Sequence, residues 1–199
     1  NAPMSDVAKQ SAGSTPKILL VKLSSLGDVL HNLPIVWDLR TRFPGAQIDW
    51  VVEEGYVHLL EPLLSTDKFK GIDRIIPFGL RRWKKSLFKV SSWVDFFAFK
   101  RILQVVQYDY IIETQGLLKS ALVCALAHKS KDAVIAGLAN ATEFSGYEPV
   151  AKSFYNQCVQ VPTKCHAVDR SRLVMCSAFD WPPIGRSEDP QFYPKLFTE

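Results

Sequence analysis

Residues 17–34 read KILLVKLSSLGDVLHNLP. A nearly unbroken apolar run passes through a short polar loop with one glycine into the opening of an amphipathic stretch. Continuous apolarity over Lys17 to Leu23 is the pattern of a strand buried on both faces, which in turn belongs to a parallel sheet. Parallel strands need crossovers, and helices usually make them. The same alternation continues along the chain. QIDWVVE (47–53), IDRIIPF (72–78), YDYIIET (108–114) and DAVIAGL (132–138) read as four further strands. Amphipathic stretches separate them at Val29 to Phe43, Gly55 to Leu64, Ser92 to Val106 and Leu117 to His128, with one more helix at His166 to Phe179. The expected fold is α/β, a Rossmann-like doubly wound and mostly parallel sheet with helices on both faces. Ligands in such sheets gather at the carboxyl ends of the strands. Lys22, Glu53, Glu54, Gln115 and the loop after Phe78 are therefore expected along one edge.

The 199 residues are 47% hydrophobic and 22% charged, a globular composition long enough for one domain with its own core. The net charge of +4 allows an anionic partner without requiring nucleic acid. No apolar run reaches the length of a membrane-crossing helix, and the N-terminus lacks the parts of a signal peptide. Residues 1–16 read as a scar ("NAP" before Met4) and a disordered leader, residues 17–179 as the domain, and residues 180–199, with four prolines, as a linker toward a further domain. Cys124, Cys158, Cys165 and Cys176 form no C-x-x-C pair, so buried free thiols are expected and a zinc site is not.

Two phosphate-loop fingerprints are not met. Only Gly27 stands where a dinucleotide fingerprint needs three glycines, and there is no G-x-x-x-x-G-K-[ST]. Two readings stand for Asp28: an N-cap of the helix that follows, or a group with chemistry. If it caps that helix, Pro34 falls beyond the first turn, where its missing N–H costs a hydrogen bond. The helix should then kink at Pro34 or begin near Asn32. A carboxylate at a helix N-terminus is stabilised as the anion. That makes Asp28 a weak base, suited to a reaction whose proton is lost late, such as hydroxyl attack on an oxocarbenium-like carbon. Lys22, ending a buried strand, either snorkels to the edge or pairs with an acid. His31 lies three residues after Asp28, in reach on one turn. RRWKKSLFK (81–89) is the densest basic cluster; it is either a solvated helix face or, with Trp83 and Phe88 between the charges, a surface for anionic amphiphiles. ETQGLLKSA (113–121) offers Gly116 for close backbone approach, with Gln115, Lys119 and Ser120 as polar groups. His166 precedes its helix, with Asp169 and Arg170 in the first turn.

Taken together, KLSSLGDVLHNLP, DWVVEEGY, RRWKK, DYIIETQGLLKSA, FYNQ and HAVDRSR, in this order and spacing, resemble the N-terminal half of the ADP-heptose glycosyltransferases of GT-B fold. WVVEEG with RRWKK points to the lipopolysaccharide heptosyltransferase I branch. The resemblance covers roughly Lys17 to Phe179. It implies an inverting, metal-free and cofactor-free transfer of L-glycero-D-manno-heptose from ADP-heptose to the Kdo of Kdo-lipid A, in inner-core lipopolysaccharide biosynthesis. It implies that this half holds the acceptor and that a further domain holds the donor, so that the fragment is inactive alone. Asp28 matches the family's proposed general base. Lys22, Arg81, Arg82, Trp83, Lys84, Lys85, Gln115, Lys119 and His166 are the implied acceptor-binding residues. The implied location is the cytoplasmic side, peripheral on an anionic inner-membrane surface, with no nucleic-acid partner. One position departs from the family pattern: Tyr147 stands where relatives carry an arginine before Glu-Pro. The alternatives are a relative with a different acceptor and a non-catalytic anion- or lipid-binding module.

Overall fold

The structure is a computed structural model that describes residues 15–86 and 89–184. The expectations for residues 1–14, for Phe88 and for residues 185–199 lie outside the described residues. Six parallel strands form one sheet in the order β3-β2-β1-β4-β5-β6. They are β1 (Lys17–Val21), β2 (Gln47–Glu53), β3 (Arg74–Phe78), β4 (Tyr108–Glu113), β5 (Lys129–Leu138) and β6 (Gln157–Val159). The doubly wound expectation is met, and the sheet reverses direction of travel between β1 and β4. There β1 pairs with β4 from Ile18 opposite Tyr110 to Val21 opposite Glu113. The loops that leave β1 and β4 therefore emerge side by side at the switch point, where open α/β sheets bind ligands.

Among the described residues the α-helices are α1 (Leu26–His31), α2 (Leu33–Arg42), α3 (Val57–Leu60), α4 (Leu80–Lys85), α5 (Val90–Leu103), α6 (Leu118–Leu126) and α7 (Ala167–Ala178). One face of the sheet packs Ile18, Leu20, Ile48 and Trp50 against α2 and α7. The other packs Leu19, Val21, Val51 and Ile111 against Phe99, Leu103, Val123 and Cys124. The inner strands β1 and β2 thus bury both faces, which accounts for the unbroken apolar run at 18–21.

Pro34 divides the expected 29–43 helix. It occupies the first turn of α2, where no intrahelical N–H is needed, and Asn32 sits at the junction as C-cap of α1 and N-cap of α2. The expected 55–64 helix is likewise broken. Only α3 is α-helical, flanked by short 3-10 turns at Glu54–Tyr56 and Glu61–Leu63, the second carrying Pro62. β6 has three residues and no alternation, and nothing in Gln157–Val159 announces a strand. Two residues of the expected linker lie against the domain. Trp181 stacks on Phe179 at 4.5 Å, its backbone N–H donates to Cys176 O, and Ile184 packs against the core. Arg42 lies 4.7 Å over the Trp181 ring.

α2 and α7 are joined by a buried ion pair, Arg172 Nε to Asp38 Oδ2 at 2.8 Å and Arg172 Nη2 to Asp38 Oδ1 at 3.1 Å. No disulfide joins any of the four cysteines. Cys124 and Cys176 are buried as expected. Cys158 is exposed and Cys165 only half-buried, because the first lies in the short edge strand β6 and the second in the loop after it rather than in a core element. Among the described residues no helix is long and apolar enough to cross a membrane.

Candidate active site

Ser25, not Asp28, is the N-cap of α1. Asp28 is the third helical residue, and its Oδ2 accepts from the Ser25 backbone N–H at 3.3 Å and the Ser25 hydroxyl at 3.2 Å. This is the acidic half of a capping box, whose S-x-x-D spacing is written in the sequence. Asp28 thus helps to cap the helix, as one of the two readings held, but from inside it. Its other oxygen, Oδ1, lies 3.7 Å from Arg170 Nη2, a charge contact too long for a hydrogen bond. The Asp28 side chain is 31% exposed, whereas Arg170 is buried. Gly27 shows no positive φ, and a Cβ there would meet no atom within 4 Å. Its missing side chain leaves the space over the first turn open and answers no backbone constraint.

Two buried cations stand behind Asp28. Lys22, at the end of β1, donates to Thr114 O at 3.2 Å. Burial pulls its ammonium down to about 8, against the opposing pull of Asp28. Lys22 therefore does not snorkel to the surface. Arg170, on the first turn of α7, donates to Thr142 Oγ1 at 2.9 Å, and its Nε has no hydrogen-bond partner among the described residues. Burial lowers its affinity for the proton and Asp28 raises it. Arg170 was visible in HAVDRSR only as a first-turn residue. Its approach to Asp28 spans 142 positions of sequence, and no local pattern signals it.

The turn after β4 is built on Glu113, which is fully buried. It accepts from the Gly116 N–H at 3.0 Å, from the Gln115 N–H and from the Tyr155 hydroxyl. Burial raises its affinity for the proton. Gly116 takes φ +73, which a side chain rarely tolerates, and a Cβ would press on Leu138 and Tyr147 at 3.3 Å. This geometry aims the Gln115 side chain back at the first loop. Its Oε1 accepts from Leu23 N–H at 3.1 Å and Ser24 N–H at 3.2 Å. Gln115 therefore positions the loop that carries Asp28, and its carbonyl oxygen is already committed.

Lys119 connects this centre to a second one. Its ammonium donates to Ser24 Oγ at 3.2 Å and Glu53 Oε1 at 2.7 Å, while Glu53 Oε2 pairs with Arg81 at 2.9 Å. Arg82 forks onto Glu54, with Nη2 to Oε1 at 2.7 Å, and its Nη1 meets Asp95. Arg81, Arg82, Lys85 and Lys89 line a polar cleft of about 670 Å³ with Glu53, Glu54 and Tyr56. His166 caps α7, its Nδ1 accepting from Val168 N–H at 3.2 Å, and its ring meets His31 edge-on at 5.3 Å. Through His31 it borders the turn that holds Asp28.

Trp83 does not share the charged surface. Its ring is buried against Phe78, Phe96 and Phe99, at 5.3–5.7 Å between centroids. In a helix of six residues Leu80 and Trp83 form the inward stripe, so the aromatic anchors α4 and leaves the cations outside. Lys84 sits on the rim of a different, apolar groove. Tyr147 lies over Gly116, and its hydroxyl donates to Ala139 O at 2.9 Å. No group of three or more metal-ligating side chains occurs among the described residues.

Residues 96–190 match glycosyltransferase family 9 (heptosyltransferase). The chain is 40% identical over 166 residues to lipopolysaccharide heptosyltransferase 1 of Pseudomonas aeruginosa, covering 83% of this chain and 43% of that protein. With the Salmonella typhimurium enzyme of the same name it shares 39% identity over 167 residues, 83% of this chain and 48% of the relative. Among solved structures it superposes on E. coli heptosyltransferase WaaC with ADP-2-deoxy-2-fluoro heptose at a TM-score of 0.71 and 35% identity, over 84% of this chain and 50% of that one. A family 9 glycosyl transferase from Veillonella parvula, at 18% identity and a TM-score of 0.52, shares the fold. The chain spans about half the length of the relatives it matches. The resemblance read from the motifs is borne out.

Proposed function

We propose that this chain is the acceptor-binding half of an inverting heptosyltransferase, with Asp28 as the general base. The observation that carries the reading is the state of the acids at the switch-point edge. Glu53 is held between Lys119 and Arg81, Glu54 is forked by Arg82, and Glu113 is buried under Tyr155 and two backbone amides. Asp28 alone of these four is partly open with one oxygen outside any hydrogen bond.

In the proposed reaction Asp28 Oδ1 takes the proton of the attacking acceptor hydroxyl. The new bond forms to the anomeric carbon of the heptose, and the bond to ADP breaks with its electron pair leaving on the phosphate. Arg170 and Lys22 hold the carboxylate in place and supply positive potential beneath it. The polar cleft of Arg81, Arg82, Lys85 and Lys89 suits the carboxylates and phosphates of a Kdo-lipid A acceptor. The donor, ADP-heptose, falls mainly to the part of the enzyme that corresponds to the other half of its relatives. A peripheral position on an anionic membrane, at the cytoplasmic face of the bacterial inner membrane, fits an acceptor that is itself a lipid.

One observation favours a variant of this reading, in which the acceptor differs from that of the relatives. Tyr147 spends its hydroxyl on Ala139 O and offers no cation where the family pattern has arginine. The test is transfer from ADP-heptose by the full-length protein, with ADP release and product mass measured on Kdo-lipid A and on acceptors with other terminal sugars. Product on the Kdo acceptor supports the main reading. Product only on another acceptor supports the variant, and no consumption of ADP-heptose with any acceptor sinks both.

A further inference from the structure

α5 buries one stripe and leaves the opposite one unusually apolar. Ser92, Phe99 and Leu103 are buried and Phe96 half-buried, a 92–96–99–103 spacing that faces the sheet. On the outside, Val90 is 78% exposed, Trp93 55%, Val94 60% and Phe97 57%. An outward helix face in water ordinarily carries charge. Here the sole charged side chain of the segment 90–97 is Asp95, and Arg82 engages it. Next to this face runs the apolar groove between α5 and α6. Its volume, about 620 Å³, is that of a small-molecule site, and Trp83, Trp93, Phe96, Leu118 and Leu122 contribute to its walls. Lys84 stands at its rim. Lys84, Lys85 and Lys89 are exposed and enter no ion pair among the described residues.

We propose that the outward face of α5, with the groove beside it and the lysines of 84–89, is a docking surface for an anionic lipid bilayer. Val90, Trp93, Val94 and Phe97 enter the headgroup–acyl boundary, the groove receives the end of an acyl chain, and the lysines meet the headgroup phosphates. Apolar anchoring with adjacent cations is the chemistry of a helix lying in a membrane interface, and tryptophan favours that depth. Charge argues against a second copy of the chain as the occupant. A two-fold contact through this face would set Lys84, Lys85 and Lys89 near their own counterparts. The proposal rests on the reading of the acceptor as a lipid, and it identifies the surface that brings the polar cleft down to that lipid.

The test is flotation of the full-length protein with phosphatidylcholine vesicles, with and without about a third phosphatidylglycerol, at low and high salt. The unaltered protein is expected to float with the anionic vesicles. Val94→Asp with Phe97→Asp should lower its partition about tenfold or more even at low salt. Lys84→Ala with Lys85→Ala should remove the preference for anionic over neutral vesicles. Both variants change exposed positions, and unaltered thermal melts confirm that they fold. The proposal is overturned if the unaltered protein stays with neither vesicle, or if the Val94/Phe97 variant floats as well as the unaltered protein. Sedimentation showing a dimer that this variant dissolves, with no vesicle binding, also overturns it. Flotation that depends on α5 in a protein that transfers no heptose leaves the docking surface standing and removes the transferase reading instead.

Discussion

Replacing Lys22 by methionine should make the protein more stable at neutral pH, with an advantage that fades as the pH rises. Lys22 is only 2% exposed, and burial lowers its ammonium from the ordinary 10.5 to about 8. That drop corresponds to roughly 3 kcal/mol held against the charged form in the folded state. The sign follows from proton binding. Below pH 8 the lysine is charged both folded and unfolded, and the full penalty acts. Between about 8 and 10.5 the unfolded chain binds the proton and the folded one does not, so stability rises with pH. Above 10.5 neither is charged and the penalty is gone. Methionine keeps the length of the chain without the charge, but it deprives Thr114 O of a donor, at a cost of about 1 kcal/mol. The net gain at pH 7 is then about 1–2 kcal/mol, or about 2–8 °C in Tm for a domain of this size. Urea unfolding of both proteins at pH 7, 8, 9 and 10 measures the difference, in which the titration of all other groups cancels. A difference that stays flat from pH 7 to 10, or a variant less stable at every pH, refutes the reasoning. A confirmed gain would mean that the lysine is kept at the expense of stability, as expected of a group retained for a site.

Trp83→Ala should destabilise by about 3–5 kcal/mol, because the ring fills the core under α4; thermal denaturation reads it. Normal stability with weakened anion binding would return Trp83 to the surface role expected from sequence. Arg172→Met should cost about 3–5 kcal/mol by stranding Asp38, and adding Asp38→Leu should recover most of the loss in denaturant titrations. Arg81→Ala with Lys85→Ala should raise KM for the acceptor by about tenfold or more and leave that for ADP-heptose within about twofold. Equal changes in both would remove the polar cleft from acceptor binding.

The sheet was legible because its inner strands are buried on both faces, and a segment such as Ile18–Val21 has no polar position to blur it. Pro34 was legible too, since a missing N–H inside a helix leaves few places for the boundary. β6 escaped notice because three residues carry no period, and it is held by pairing with Ala136–Leu138 rather than by its own sequence. The alternation of Trp83 with cations looks like a surface when read along the chain. The short helix α4 turns that one ring inward, and its six residues are too few to reveal a stripe. At the site, Lys22, Glu53, Glu54 and Gln115 were placed on one edge by strand ends alone. Ser25 could have been found from its S-x-x-D spacing with Asp28. The Arg170–Asp28 contact and the Glu113–Tyr155 bond could not, because both join distant segments brought together only by the order of the strands.

The central claim is that Asp28 accepts the proton of the attacking hydroxyl. It is tested most directly by comparing Asp28→Asn with the unaltered full-length enzyme in single-turnover transfer from ADP-heptose to a Kdo-bearing acceptor. Asparagine keeps the shape and can still accept from Ser25, so the loop is preserved while the base is lost. The account predicts a fall of about 10²–10⁴-fold in the transfer rate, with ADP-heptose affinity within about twofold of the unaltered enzyme. Transfer at a near-normal rate in the asparagine variant would contradict it.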